Sequence, residues 1–396
     1  MRPYADRMAR LGTETAFVVL GEVKKLEAQG KSVVSFCIGE PDFDTPANIR
    51  EAAKQALDQG FTHYGPSAGL PDFRKACADY LNQTRRNVRY APEEIVVTPG
   101  AKPLVFFGML AMINEGDEVI YPNPGYPIYE SMISFVGATP VPLPLLEERE
   151  FVFEVNALKR LITPKTRMII LNSPQNPCGG VISRDDLAEV AKIVLEHDLW
   201  VISDEVYSRI LYEGEFESIS QFDGMKERMI LIDGHSKTYA MTGWRLGYGA
   251  MNTELVEKIA RLMTNSVSCT TTFIQIAGKE AYLGQQEETA KMVARFKRRR
   301  DMIVDGLNEI PGVRCLRPKG SFYVFPNVTG VCRRKGFADS KALQDYLLYD
   351  VGVAALSRSF FGHKNVGEDQ EYLRFSYATS EENIQEGLRR MKQALA

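Results

Sequence analysis

The chain has 396 residues, 44% apolar and 25% charged, enough for one large domain with a satellite or for two domains with full cores. A formal net charge of −3 offers no general attraction to nucleic acid or to an anionic membrane, so neither partner is expected. Six scattered cysteines without CxxC spacing and four histidines without HExxH spacing point to reduced thiols, no disulfide frame and no metal site. The first residues, Met1 to Arg7, carry no apolar signal core, and no uninterrupted 18-residue apolar run occurs. A soluble, cytoplasmic protein is the expectation.

Apolar positions at helical spacing run from residue 11 to 29 and stop at Gly30, and Val33 to Phe36 reads as a short strand. The turn-rich segment Gly39-Glu40-Pro41-Asp42-Phe43-Asp44-Thr45-Pro46 leads into a helix over 47–59. A second loop, Thr62 to Pro66, precedes a helix from Pro71 to Gln83, with proline well placed at the first helical position. From about residue 94 the rhythm becomes strand, glycine or proline turn, helix. Ile95–Thr98, Val119–Tyr121, Arg167–Leu171, Leu199–Ser203 and Met229–Asp233 are apolar runs of strand length. Ser183-Arg184-Asp185-Asp186 resembles a capping box opening one of the intervening helices. Continuous apolar strands alternating with helices predict an α/β fold, a mostly parallel sheet covered by helices on both faces. Ligands on such sheets sit beyond the carboxyl ends of the strands, where Thr98, Asn172, Asp204 and Lys237 collect.

After residue 285 the pattern changes. A long helix over 287–310 contains the basic run Arg295 to Arg300, which reads as a solvated face. A strand pair near Val313 and over 321–325, a helix from Ser340, a strand at Leu373–Ser376 and a last helix from Ser380 predict a smaller α+β domain. The N-terminal segment is expected to pack with it, giving a discontinuous small domain of residues 1–45 and 286–396 around a large one of residues 46–285.

Chemistry concentrates on Gly234-His235-Ser236-Lys237 and the loop through Arg245. A lysine near a buried strand end is out of its usual solvated place. Partly desolvated, its amine has a lowered pKa and condenses readily with an aldehyde. Arg245 offers a planar, permanent charge suited to a phosphate. An aldehyde-seeking lysine beside a phosphate-seeking arginine suits pyridoxal phosphate. Asp204 ends an apolar strand, where an unpaired carboxylate is costly, and a protonated pyridine nitrogen would be a fitting partner. Gly100-Ala101-Lys102 opens a helix whose free N–H groups suit a phosphate. Asn176 and Tyr207 could hydrogen-bond a phenolate oxygen, and Tyr126 could stack on a flat ring.

These motifs together resemble the fold type I, class I pyridoxal-phosphate aminotransferases, in the branch of the bacterial aspartate and aspartate/prephenate aminotransferases. The resemblance runs nearly end to end. It rests on the 39–46 loop, Tyr64-Gly65-Pro66 with Ala68-Gly69-Leu70-Pro71, and Thr98-Pro99-Gly100-Ala101-Lys102. Asn172 to Pro177, Ser203-Asp204-Glu205-Val206-Tyr207, the lysine loop and Leu373-Arg374-Phe375-Ser376 also match. It implies a seven-stranded type of sheet, pyridoxal 5′-phosphate on Lys237, and catalysis by Lys237 with Asp204 and Tyr207. It implies cofactor contacts from Gly100, Ala101, Lys102, Tyr126, Asn176, Ser236 and Arg245, and from Tyr64 of a neighbouring subunit in a homodimer. It also implies substrate contacts from Gly39, Lys102, Asn176 and Arg374, the last clamping the α-carboxylate. The expected substrates are an amino acid, aspartate or glutamate, and a 2-oxo acid. Aromatic or apolar donors, and elimination, decarboxylation or oxidation on the same scaffold, stay open.

Four departures stand out. His235 and Gly234 lie close to the lysine, Cys178 takes the usual threonine place after Asn-Pro, and Ser357 to Gly362 replaces a Pro-Gly-type loop. The last adds a charge, Arg358, near the expected substrate entrance and makes specificity the property most exposed to change.

Overall fold

The computed structural model describes residue 2 and residues 4–396. After the short strand β1 (Val34–Ser35), the chain lays down β2 (Ile95–Thr98), β3 (Glu118–Asn123), β4 (Thr139–Pro144), β5 (Thr166–Asn172), β6 (Trp200–Asp204), β7 (Met229–Gly234) and β8 (Gly247–Ala250). Strands β2 to β8 form a seven-stranded sheet in the order β2-β8-β7-β6-β5-β3-β4. Every neighbouring pair is parallel except those of β8, which runs antiparallel to β2 and β7. The central strands are apolar because both faces are covered: Val201, Ile202, Ile230 and Leu231 are fully buried.

Two of these strands escape a reading based on apolar runs. β4 carries Pro140, Pro142 and Pro144 and pairs only with β3. A proline has no N–H to give, so alternate prolines are tolerated where only one side is bonded. β8 contains Gly247 and Gly249, and its pairing, not its composition, makes it a strand. Its glycines have a packing reason: a Cβ on Gly247 would lie 2.5 Å from the Ala101 nitrogen.

A second body gathers the N-terminal and C-terminal parts. β1 pairs with β10 (Val353–Ala354) in parallel, and β12 (Leu373–Ser376) lies between β11 (Leu356–Ser357) and β9 (Tyr323–Val324). Phe36, Phe296, Phe322, Tyr323, Phe375 and Tyr377 fill its core. The expected pairing of Val313 with 321–325 is corrected: β9 pairs with β12, and near Val313 only an isolated Arg314–Asn327 bridge forms. The basic run is corrected as well. Arg299 and Arg300 of the helix Glu287–Asn308 are buried, Arg299 forked onto Asp42 at 2.6 and 2.9 Å and Arg300 paired with Glu213 and Asp301. Helical periodicity turns one edge of the run inward with Phe296, and two of the carboxylates that neutralise it, Asp42 and Glu213, come from distant segments.

Beneath the carboxyl ends of β6 and β7 lies a closed ionic cluster. Arg85 donates to Glu205 at 2.7 Å and to Asp233 at 3.2 Å, all three side chains almost wholly buried. Ser203 and Ser218 hydroxyls donate to the other Glu205 oxygen at 2.9 and 2.6 Å. Removing one member of such a group leaves the others charged and unpaired. Arg85→Ala is expected to lower the stability of the cofactor-free protein by about 3–5 kcal/mol in equilibrium urea unfolding. A loss below about 1 kcal/mol, the range of surface pairs, would show that the cluster is solvated or rearranges.

Candidate active site

The parallel register β5–β6 sets Asn172 opposite Asp204, and β8 sets Gly247 opposite both Thr98 and Gly234. Strand ends β2, β5, β6 and β7 thus converge on one cavity of about 520 Å³. Asp204 lies at its floor. Burial pushes its carboxyl up to about 6, opposed by the hydrogen bond from the Tyr129 hydroxyl (2.7 Å) and by the Val206 N–H. Tyr129 was not among the expected site residues. Its signal is spacing, since it follows Tyr126 by three residues at the start of the helix Ile128–Phe135 and so shares its side.

Lys237 sits in a single turn, His235–Thr238, directly after β7. Burial draws its ammonium down to about 8, with Glu40 and Glu14 opposing and Arg245 and Arg374 assisting. Its Nζ donates to the Gly39 carbonyl at 2.5 Å and lies 5.8 Å from the centre of the Phe322 ring. A lysine near 8 holds an appreciable neutral fraction close to neutral pH, as a nucleophile or proton carrier requires.

At the other end of the cavity, Arg245 adopts a left-handed backbone (φ 57°) and turns its guanidinium against the β2–helix turn. It donates to the Thr242 carbonyl at 2.8 Å and reaches the Pro99 carbonyl at 3.5 Å. Gly100 has φ +85°, and a Cβ there would stand 2.2 Å from Arg245 Nη2, so glycine is needed both for the turn and for the approach. The helix Lys102–Met112 begins beside it, with Ala101 as its N-cap and no side-chain cap. Free helix N–H groups, a guanidinium and the nearby Ser236, which also lines the cavity, form a cradle for a dianion.

Arg374, on β12, closes the remaining side. Its guanidinium lies 4.6 Å from the Tyr323 ring centre and 4.9 Å from that of Phe361, and donates to the Asn176 side chain at 3.0 Å and to the Cys37 carbonyl. Its Nε is buried without a hydrogen-bond partner, an orphaned donor on a residue that lines the cavity. Asn176 is held by its own N–H to the Asn172 side chain at 2.9 Å. Tyr207 shares a 2.8 Å hydrogen bond with Tyr323, a second residue outside the expected set. A Cβ on Gly39 would collide with the Tyr323 hydroxyl at 1.8 Å, which is why the 39–46 loop can lie over the cavity only as glycine.

Asp204, Asn176, Tyr207, Lys237, Ser236, Arg245, Ala101, Lys102, Tyr126, Gly39 and Arg374 all line this cavity, and Gly100 backs Arg245. Tyr64 does not: it stands 89% exposed on the surface of its own chain. Lys102 is already engaged, its Nζ 3.0 Å from Glu14 and 5.6 Å from the Tyr126 ring centre.

The departures resolve mostly into packing. His235 is fully buried among Phe73, Tyr239 and Tyr282, hydrogen-bonded to the Gly278 carbonyl at 3.2 Å and held neutral by burial, at about 3. Cys178 is buried and capped by Gln175. Arg358 is corrected as a specificity residue: it is fully buried, forked onto Glu368 at 2.7 and 2.9 Å, and bonded to Asn123 at 3.1 Å and the Gly362 carbonyl at 2.9 Å. It clamps the loop from within, and the side chains left facing the cavity are the apolar Phe360 and Phe361.

A fold of this type, with a lysine past the strand next to a buried aspartate and a glycine–arginine anion cradle, defines a class of cofactor-dependent enzymes acting on amino groups. The sequence profile of the family described as "Aminotransferase class I and II" matches residues 31–391. The aspartate aminotransferase of Pyrococcus abyssi is 41% identical, covering 94% of this chain and 95% of its own. The aromatic-amino-acid aminotransferase 2 of Thermococcus litoralis is 38% identical, over 94% of this chain and 95% of its own. The solved aspartate aminotransferase of Rhizobium meliloti superposes with a TM-score of 0.93 at 33% identity, over 100% of this chain and 99% of its own. The chain belongs to the class I and II aminotransferase family and is a pyridoxal-phosphate-dependent transaminase. The residues present fit that cofactor: an anion cradle that a Cβ on Gly100 would fill, and a buried carboxylate without a fixed cation.

Asp204 allows a test on the cofactor-free protein. Its folded pKa is raised, from 3.8 to about 6, so folding favours the protonated acid and the carboxylate costs stability. That cost is absent below about pH 4, grows between pH 4 and 6, and is complete above about 6. Asp204→Asn is therefore expected to be more stable than wild type at pH 7.5 by about 3 kcal/mol, the gap closing by pH 4, in urea unfolding at the two pH values. A gap that is independent of pH would mean that the carboxylate is compensated in the cofactor-free fold.

Proposed function

We propose that the chain exchanges an amino group between an acidic amino acid, aspartate or glutamate, and a 2-oxo acid, 2-oxoglutarate or oxaloacetate. The observation that carries this reading is the inventory of cations facing the cavity: Lys102, Lys237, Arg245 and Arg374. Arg245 is committed to a phosphate, Arg374 to the substrate α-carboxylate, and Lys237 to the amine chemistry. Lys102 remains for a second carboxylate, at a helix N-terminus whose dipole already favours anions.

When bound, pyridoxal phosphate supplies an aldehyde for the amino group and an electron-withdrawing ring that delocalises the charge left at the substrate Cα. Asp204 holds a proton on the ring nitrogen, its own carboxylate stabilised in turn by the Tyr129 hydroxyl. Arg374, stacked between two aromatic faces and braced by Asn176, fixes the α-carboxylate and so the direction of the Cα–H bond. Lys237 carries the proton from the Cα, and its lowered pKa lets one amine both accept and return it. Tyr207, tied to Tyr323, and Asn176 orient the ring oxygen.

The assembly belongs to the same proposal. Tyr64 and the N-terminal Phe17 and Val18 are large apolar-bodied side chains left 89%, 61% and 57% exposed. A homodimer in which Tyr64 reaches the neighbouring phosphate cradle would cover them. Residues 1–45 and 286–396 would act as a small domain against 46–285, and the cytoplasm would be the working compartment. Aromatic donors are a second reading, favoured by the apolar walls of Ile38, Leu356, Phe360 and Phe361.

Borohydride reduction of the loaded enzyme followed by peptide mapping is expected to leave the pyridoxyl group on Lys237. A label on another lysine would displace Lys237 from this role. Lys102→Ala is expected to lower kcat/KM for aspartate about tenfold or more relative to phenylalanine, the scale of a charge pair closed off from water. Equal falls for both donors would return Lys102 to the phosphate and remove the acidic preference.

A further inference from the structure

Lys102, the cation assigned to a distal carboxylate, already has a carboxylate on it. Glu14 Oε2 lies 3.0 Å from Lys102 Nζ, and the Glu14 side chain is 17% exposed against 43% for the lysine. Glu14 occupies the N-cap position of the helix Thr15–Ala28, where short Ser, Thr, Asp or Asn side chains usually cap and the longer glutamate is free to reach outward. It makes no capping bond there. Its carboxylate faces the cavity, beside Tyr126, whose phenol is raised by burial and then by the charge and hydrogen bonding of Glu14.

The residues just before Glu14 are fastened to the helix Ile128–Phe135. The Gly12 N–H donates to the Ser131 hydroxyl at 2.9 Å, and Arg10 reaches the Phe135 carbonyl at 3.4 Å. The flanking Phe17 and Val18 are exposed. Glu14 precedes Val19, the first buried core residue of its helix, so a rotation of the Glu14 side chain would carry its carboxylate off Lys102 without unpacking a core.

We propose that Glu14 is a built-in competitor for the distal carboxylate, and that the Glu14–Lys102 pair lets one cavity serve both acidic and apolar amino donors. This rests on Lys102 being the distal-carboxylate site. An apolar or aromatic side chain enters with the pair intact, so the lysine charge is neutralised and the substrate meets Phe360, Phe361 and Ile38. A dicarboxylic substrate places its own carboxylate on Lys102 and displaces the Glu14 side chain. Without Glu14, an apolar side chain would desolvate an uncompensated ammonium, which is costly. With it, each acidic substrate must first break an ion pair that is partly exposed and therefore weak. Glu14 is a positioning residue, acting on substrate through Lys102.

Glu14→Gln keeps the shape and removes the charge. The ratio of kcat/KM for aspartate to that for phenylalanine is expected to rise about fivefold, carried by KM and not kcat, the scale of a partly exposed pair. Succinate, which cannot react, is expected to bind the loaded enzyme about fivefold more tightly, read from the absorbance of the bound cofactor. In a Lys102→Ala background, Glu14→Gln is expected to leave that ratio where Lys102→Ala alone puts it, and Glu14→Asp to restore the wild-type ratio partly. If Lys102→Ala selectively impairs aspartate but Glu14→Gln leaves the ratio and succinate affinity unmoved, or lowers both donors alike, the competitor role is overturned and the acidic site stands. If Lys102→Ala is unselective, both fall.

Discussion

A carboxylate kept out of water sets the terms for this site. Asp204 ends a strand that is apolar on both faces, and a tyrosine hydroxyl and one backbone N–H are all that steady it locally. Burial raises its pKa toward neutrality, so in the bare protein it sits close to the point at which it would take up a proton. A ring nitrogen that brings its own proton resolves that tension, because the pair needs no net charge from outside. The same dry floor draws the lysine amine downward. One environment thus prepares an acid that wants a cation and an amine that gives up its proton readily, without either being in direct contact with the other.

Directly below, the opposite solution is used. Glu205, buried as deeply as Asp204, takes Arg85 and two serine hydroxyls, so its charge is satisfied within the chain, while burial still pushes the neighbouring Asp233 up to about 7 against the pull of Arg85. Adjacent positions at the end of β6 therefore differ: Asp204, its last residue, lines the cavity, whereas Glu205, just past the strand, is closed off by Arg85.

The upper wall follows a similar logic. Arg374 is packed between the faces of Tyr323 and Phe361, which fix its plane, while its bonds to Asn176 and the Cys37 carbonyl leave Nε free. Arg358, nearby in the fold, spends its donors on Glu368, the loop carbonyls and Asn123 of β3, and does not line the cavity. Two buried arginines in one layer thus divide the work: one shapes the wall and the other is left with capacity for a carboxylate. Lys102 is intermediate, part-exposed and engaged by Glu14.

The α/β alternation, the strand ends Thr98, Asn172 and Asp204, and Lys237 with Arg245 could be read from the chain because they depend on local pattern. Apolar runs make buried strands, glycine and proline break them, and ligand-binding groups follow the breaks. Boundaries such as Ile128–Phe135 and Leu373–Ser376 emerge from periodicity for the same reason. What only the tertiary structure decided is which charges meet. Glu14 and Lys102 are 88 positions apart, Arg358 finds Asn123 across 235, and Arg85 finds Glu205 across 120. Nothing local distinguishes Arg358, sealed beneath a loop, from Arg374, opened to the cavity, or points Glu14 at Lys102. Tyr129 and Tyr323 escaped for the same cause, since an aromatic at helix or strand spacing reads as core until its hydroxyl is seen to touch Asp204 or Tyr207. Secondary structure is set by neighbours in sequence, but the electrostatics of a site are set by neighbours in space, which the chain order does not record.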